Sequence, residues 1–377
     1  MVIPISFAHE LEKKMAAYRT AFRRALEAVD HLTDPAPPWS DILQTARDLA
    51  GADSATLIIF DSKNTLLNFS AVGFEEQCFA DYESHFHSCD ILEQGSRHAP
   101  AGTWLDTAQM YTSAQLRRSE FHTDFMTKHR MGQIVSLVLE SGPSVRAALG
   151  FQRGTVDDKA GDHLNSGNLA AYFRVLRSQM ARRHAAVEMR FQSIEDAFSS
   201  ADQAIFLLGD DASLIRGSPL AERYLEAMKG WRIRGGKLQH ADRDIQARFE
   251  AQCRAVTADG RARLHATTSG WGDVILLDIA AASPGLSLLG NRMLLVRMRR
   301  KSAFATPDAE RLASVFDITR GEAAVLAGLA AGHSVDEIAV LRRTAVLTVR
   351  KQVASLMKKM ECNRQSELVR LACLLQE

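Results

Sequence analysis

Two helix-start signatures follow one another near the end of the chain: Thr319-Arg-Gly-Glu322 and Ser334-Val-Asp-Glu337. In each, the hydroxyl can accept from the backbone N–H three residues on. The glutamate carboxylate returns the bond to the hydroxyl residue's own N–H. One such box is a weak constraint. Two in succession, separated by a single amphipathic stretch and the helix-stopping Gly332, leave room for little besides short packed helices. The first helix is expected to bury Val325, Leu326 and Leu329, and the second runs through Ile338, Ala339 and Leu341. A longer helix, about Ala345 to Met360, shows Val349, Val353, Leu356 and Met360 on one face. A last one, Asn363 to Leu374, buries Leu368 and Leu371. The spacing thus predicts an all-α, four-helix domain over 308–377.

A formal net charge of +1 for the whole chain argues against a polyanion-binding protein only if the charge is evenly spread. It is not. Arg342, Arg343, Arg350, Lys351, Lys358, Lys359 and Arg364 face the single acid Glu361 over that stretch. Off the apolar face of the third helix stand Thr348, Arg350, Lys351, Gln352, Ser355, Lys358 and Lys359, with Thr344 just before it. These side chains bond readily to phosphate oxygens and base edges. A charge run is usually a solvated face. Here it falls on the helix that, in a helix-turn-helix, enters the major groove.

The run Phe316-Asp-Ile-Thr-Arg-Gly-Glu-Ala-Ala-Val-Leu-Ala-Gly-Leu-Ala-Ala-Gly-His-Ser-Val-Asp-Glu-Ile-Ala339 resembles the start of a LuxR-type helix-turn-helix. Thr348-Val-Arg-Lys-Gln-Val353 and Asn363-Arg-Gln-Ser-Glu-Leu-Val-Arg-Leu-Ala372 continue it in register. The resemblance implies that Glu322 belongs to a capped first helix and that Glu337-Ile338-Ala339 mark a scaffold helix. It also implies that the stretch from Thr348 lies on a recognition helix, with the last helix serving dimerisation. Gln352 stands where the family often has His. Where the family often places Leu-Gly-Ile-Ser, this chain has Arg342-Arg343-Thr344-Ala345, with Thr344 left as a candidate cap.

Upstream, an amphipathic helix over residues 1–34 (Leu11, Met15, Tyr18, Phe22, Leu26) ends at the run Pro35-Ala-Pro37-Pro38. Residues 35–160 read as helix, hairpin, helical middle, hairpin: Ser40–Ala50, Ala55–Phe60, Asp61-Ser-Lys-Asn64 as a turn, Thr65–Val72, then Ile134–Glu140 and Arg146–Arg153 around Ser141-Gly-Pro-Ser144. That order is similar to a small sensor domain of GAF type. Leu116-Arg-Arg-Ser-Glu-Phe-His-Thr-Asp-Phe125 resembles the sensor motif of a LuxR subgroup and names no ligand. Residues 161–199 form a connecting helix with Leu169, Phe173, Leu176 and Met180 in four-three-four spacing. The pattern resumes after a break at Arg183 with Val187, Phe191, Ile194 and Phe198. Such a seam suits either a dimer contact or packing on the chain's own sheet. Over 200–301, Ala204–Leu208, the turn Gly209-Asp-Asp211, Ser213–Ile215 and a short helix resemble the opening of a PAS domain, with Ser218 where Asn is usual. Strands are expected at Arg263–Thr268, Val274–Ala280 and Arg292–Met298, and Ser302–Asp308 is a linker.

No apolar run is long enough to span a bilayer, no signal peptide is read at Met1 to Glu10, and five scattered cysteines suit a reducing cytoplasm. His85-Phe-His87-Ser-Cys89 would share a face on a strand. The neighbours Tyr82, Phe86 and Ile91 favour a helix, where the three would splay, so no metal site is expected. Ser119, His122 and Asp124 lack a nucleophile turn, Gly235-Gly236 stands alone, and no cofactor or enzyme chemistry is implied. A receiver domain or an autoinducer-binding domain upstream finds no convincing residue set. The expectation is a multi-domain α+β transcription regulator, homodimeric and cytoplasmic, binding an inverted-repeat site in double-stranded DNA under a small-molecule ligand. The rival is a signalling or scaffold protein whose C-terminal helices contact another protein, for which the altered turn at Arg342–Ala345 is the best support.

Overall fold

The computed structural model describes residues 5–61, 64–142, 145–227, 230–269, 273–302 and 306–375. The turn residues Ser62, Lys63, Pro143 and Ser144, and linker residues 303–305, lie outside these. The described chain is α+β with antiparallel sheets. It divides into two compact units: Met1–Asp196 with Ala282–Met293, and Ala197–Ala281 with Leu294–Glu377.

In the first unit, strands β1 (Ser54–Asp61), β2 (Leu66–Val72), β3 (Trp104–Asp106), β4 (Gln133–Ser141) and β5 (Val145–Arg153) form one sheet in the order β2-β1-β5-β4-β3. Every neighbouring pair is antiparallel. Because successive side chains point to opposite faces, Ala55, Leu57 and Ile59 enter one core and Ile58 the other. The first core takes Ala25, Ala28 and Val29 from helix Ile5–Asp30, together with Leu43 and Ala46 from helix Trp39–Ala50. The N-terminal helix is therefore part of this unit and does not stand apart.

Leu169, Phe173, Leu176 and Met180 of helix Gly167–Ser199 are buried in the same core. The chain's own sheet thus claims the first half of the apolar seam. The break at Arg183 has a local cause. Its buried guanidinium donates to the carbonyls of Leu32 (3.1 Å), Asp34 (2.5 Å), Ser287 (2.7 Å) and Leu288 (2.5 Å), all within the unit. A cation replaces an apolar residue there because a cluster of buried and half-buried carbonyls needs donors.

The second unit opens on a sheet of order β10-β11-β12-β6-β7. Its strands are β6 (Ala204–Leu208), β7 (Leu214–Gly217), β10 (Arg263–Ser269), β11 (Asp273–Ala281) and β12 (Leu294–Ser302), and β8 (Trp231–Arg234) with β9 (Lys237–His240) makes a separate hairpin. That hairpin and helix Arg243–Asp259 are additions to the sequence reading. Gly235 and Gly236, at φ 56° and 71°, are its two-residue turn, which requires positive φ at both positions. Ile245, Phe249, Cys253 and Val256 sit at helical spacing and were the signal for the helix. Ser218 is fully buried and its hydroxyl accepts from the N–H of Ile205 (3.2 Å) and Ala221 (3.1 Å), pinning strand to helix.

The C-terminal region holds five helices where four were expected: Ala309–Phe316, Arg320–Ala330, Val335–Leu341, Val346–Lys359 and Gln365–Cys373. The extra helix is capped by Asp308, whose carboxylate accepts from the N–H of Glu310 (2.9 Å), and it puts Leu312 into the shared core. Pro307 ends the linker but does not delay the helix. Among the described residues, no helix is long and apolar enough to cross a membrane.

Candidate nucleic-acid interface and sensor cavity

Both capping boxes form. Thr319 N–H donates to Glu322 Oε2 at 2.8 Å and Glu322 N–H to the Thr319 hydroxyl at 3.3 Å; Ser334 and Glu337 repeat this at 2.7 and 3.2 Å. The first capped helix ends with Gly332 at φ 87°, where His333 N–H reaches Gly328 C=O and Gly332 N–H reaches Leu329 C=O. This pair of hydrogen bonds around a left-handed residue closes the helix. Gly328 permits close packing, since a Cβ there would lie 3.0 Å from Ile338 Cγ1.

The second capped helix stops in the same way, with Thr344 N–H on Ala339 C=O and Arg343 N–H on Val340 C=O. The left-handed position, φ 52°, is held by Arg343. The turn therefore keeps its geometry without its glycine. Thr344 is not the cap of the next helix: Ala345 occupies the N-cap position and supplies no side-chain bond, because Arg343 turns the chain one residue later than the Thr344 assignment requires. A side chain in this region of backbone space costs about 1 kcal/mol. Arg343→Gly is expected to raise the stability of the C-terminal helices by about that amount, measured by native-state hydrogen exchange. Unchanged or faster exchange would contradict the account.

Helix Val346–Lys359 buries Val349, Val353 and Leu356. Glu322 determines which polar residues turn inward beside them. Its Oε1 accepts from the Ser355 hydroxyl at 2.6 Å and its Oε2 from Lys359 Nζ at 2.8 Å. Burial pushes this carboxyl up, but the bonds from Lys359, Ser355 and Thr319 outweigh it and hold it at about 2. Gln352 Oε1 accepts from Arg342 at 3.1 Å, and the same nitrogen donates to Gly321 C=O at 3.0 Å.

Of the eight candidate residues, Ser355 and the part-exposed Lys359 thus bind Glu322, and Gln352 accepts from Arg342, while Thr344, Thr348, Arg350, Lys351 and Lys358 are exposed. Leu347, 65% exposed, and Ala354 share the outward face. Sequence reasoning missed both because it counted only polar side chains. That face carries three cations and no acid.

The first unit contains a cavity of about 50 Å³ between its sheet and the helical segments around residues 76–126. Phe69, Tyr82, Phe121, Phe125, Ile134 and Val138 give it apolar walls, and Asp90, Glu93, Arg146 and Gln152 supply polar groups. Asp90 is buried. Its Oδ2 accepts from Tyr82 OH at 2.8 Å, and its Oδ1 caps helix Ile91–Ser96 through the N–H of Leu92 and Glu93. Burial pushes the Asp90 carboxyl up to about 6 against these bonds. Glu93 pairs with Arg97 (2.8 Å) and Arg146 (2.7 Å).

The stretch Leu116–Phe125 feeds the cavity through Phe121 and Phe125, on a wide turn of helix, Phe121–Met126. Widened turns of this kind recur at functional sites. The Ser119 hydroxyl accepts from His122 N–H at 3.4 Å. The cavity has room for on the order of one or two waters, so any larger occupant would have to spread its walls.

No family model and no curated protein matches the chain. Solved structures similar to it include the ligand-binding domain of VqsR from Pseudomonas aeruginosa, at 16% identity over 44% of this chain and 97% of that one, TM-score 0.35. CepR2 from Burkholderia cenocepacia, an N-acylhomoserine lactone dependent LuxR family transcription factor, is 10% identical over 45% and 99%, TM-score 0.35. Escherichia coli SdiA is 11% identical over 96% and 97%, TM-score 0.27. Likenesses this distant carry no argument about function, which rests on the geometry of the helices.

Proposed function

We propose that the chain is a sequence-specific, DNA-binding transcription regulator with a LuxR-type helix-turn-helix over 308–377. It works as a cytoplasmic homodimer on an inverted-repeat site, under a small ligand taken up by the first unit. The carrying observation is the outward face of helix Val346–Lys359: Arg350, Lys351 and Lys358 are exposed on a helix without an acid, while Glu322 ties its other polar side inward. Rigid presentation of cations and of groove-sized side chains is what positions a helix on phosphates and base edges. Residues 35–160 act as the GAF-like sensor and 200–301 as a PAS-like relay in this reading. The cavity, apolar-walled with the buried acids Asp90 and Glu93 at its edge, suits an amphipathic ligand bearing a hydrogen-bond donor.

A second reading draws on Val340, Leu341 and Leu347, which are 77%, 66% and 65% exposed on adjoining helices. There the C-terminal helices contact another protein and the chain is a ligand-binding signalling or scaffold protein. Selection of bound duplexes from a random-sequence library separates the two. The regulator enriches a palindromic motif with half-sites about one helical turn apart, whereas a scaffold enriches none.

A further inference from the structure

The sequence His85-Phe-His87-Ser-Cys89 takes neither the strand nor the continuous helix weighed for it. Helix Glu76–Ser84 ends, His85 turns the backbone at φ −146°, ψ −55°, and Phe86–Ser88 makes one tight helical turn. This brings His85 and Cys89 to the same side and sends His87 elsewhere, its Nδ1 lying 3.2 Å from Tyr82 C=O. Glu120, distant in sequence, arrives from the segment leading into Phe121–Met126. Its Oε1 lies 2.6 Å from His85 Nε2. One donor atom each from His85, Cys89 and Glu120 lies within 4.8 Å of the others.

We propose that His85, Cys89 and Glu120 form a binding site for a divalent transition-metal ion of the zinc class, with its fourth position open to water or an incoming donor. An imidazole nitrogen, a thiolate sulfur and a carboxylate oxygen are the donors that zinc accepts in tetrahedral sites, and three protein ligands leave one position open. Magnesium and calcium, which prefer all-oxygen shells, suit this set poorly. A surface ion pair alone accounts for His85 and Glu120 but contributes little, and the Cys89 thiol beside them makes only a weak bond to Phe86 C=O at 3.6 Å, which a metal–sulfur bond would replace. His85 and Glu120 are exposed and Cys89 is half-buried, so an ion has a path in. On binding, a metal–sulfur bond replaces the thiol S–H bond and the proton leaves to solvent.

The site needs no DNA-binding role for the chain. Its consequence lies in the first unit: Cys89 adjoins Asp90 and Glu120 adjoins Phe121, both lining the cavity, so a bound ion ties together two of its walls.

The test uses the full chain, reduced and stripped of metal, titrated with cobalt(II) as an optical probe and with zinc by calorimetry. The expected result is one ion per chain, with a thiolate-to-cobalt charge-transfer band absent in Cys89→Ser. His85→Ala and Glu120→Gln should each weaken binding at least tenfold, and His87→Ala should leave it unchanged. No band, or a band that survives in Cys89→Ser, overturns the site. Alkylation of the wild-type protein gives a reading independent of variant folding: zinc is expected to protect Cys89, and equal labelling with and without zinc counts against the proposal.

Discussion

Glu322→Ala is expected to destabilise the C-terminal helices by about 2–3 kcal/mol, the cost of removing one buried acceptor from three partly buried hydrogen bonds at once. The carboxylate serves three partners at once: the Thr319 cap, the Ser355 hydroxyl and the Lys359 ammonium. Lys359 is 40% exposed and keeps part of its hydration, which holds the loss below that of a fully buried pair. Hydrogen exchange in the helix Val346–Lys359 amides reads the effect separately from the other domains. Exchange should accelerate by roughly thirtyfold or more, since each 1.4 kcal/mol is a factor of ten.

The pH dependence has a definite sign. The folded carboxyl, at about 2, is more acidic than its unfolded counterpart near 4.5, so its contribution is complete above that range and is lost as pH falls from about 4.5 to 2. Glu322→Gln should remove this acid-side loss. Wild-type exchange rates in Glu322→Ala, or an unaltered acid profile in Glu322→Gln, would show that the network does not hold the helix.

Arg350→Ala combined with Lys351→Ala is expected to lower affinity for duplex DNA by roughly a hundredfold or more at moderate salt. On a dimer the pair removes four cations. If all four lie at phosphates, the slope of log affinity against log salt becomes shallower by about 3–4. If Arg350 or Lys351 instead reads a base edge, the slope changes less and discrimination at one position falls by about 1–3 kcal/mol. Ser355→Ala should act differently. It weakens the anchor to Glu322, so binding falls in step with helix protection while the salt slope stays the same. Parallel anisotropy titrations of the three proteins over a salt series distinguish charge removal from loss of support. Intact affinity in the double variant would remove the interface.

The features readable from sequence were those set by neighbouring residues. Capping boxes at Thr319 and Ser334, the turn chemistry around Gly332 and the apolar run of β1 each depend on a few positions, and the structure repeats them. Features that depend on packing between elements were not readable in the same way. Glu322 looks like a cap and nothing more until a second helix brings Ser355 and Lys359 to its free lone pairs. The three-four spacing of Gln352, Ser355 and Lys359, a polar stripe beside the apolar one, was the available signal. Leu347 and Ala354 went unread because the outward face was defined by polarity alone. Arg343 shows the reverse case: an altered turn sequence suggested altered geometry, yet the backbone bonds of the two helix ends impose the same left-handed corner. The His85–Cys89–Glu120 cluster needed the fold, since His85 and Cys89 meet only through the tight turn after Ser84.

The central claim is that the helix Val346–Lys359 docks on DNA, and the salt dependence of the wild-type chain on its selected duplex tests it most directly. The account predicts that log affinity falls linearly with log salt, with a slope of at least about −5 from the three outward cations of each protomer. A scrambled duplex should bind at least a thousandfold more weakly. A flat salt response, or equal affinity for the selected and scrambled sequences, would contradict it.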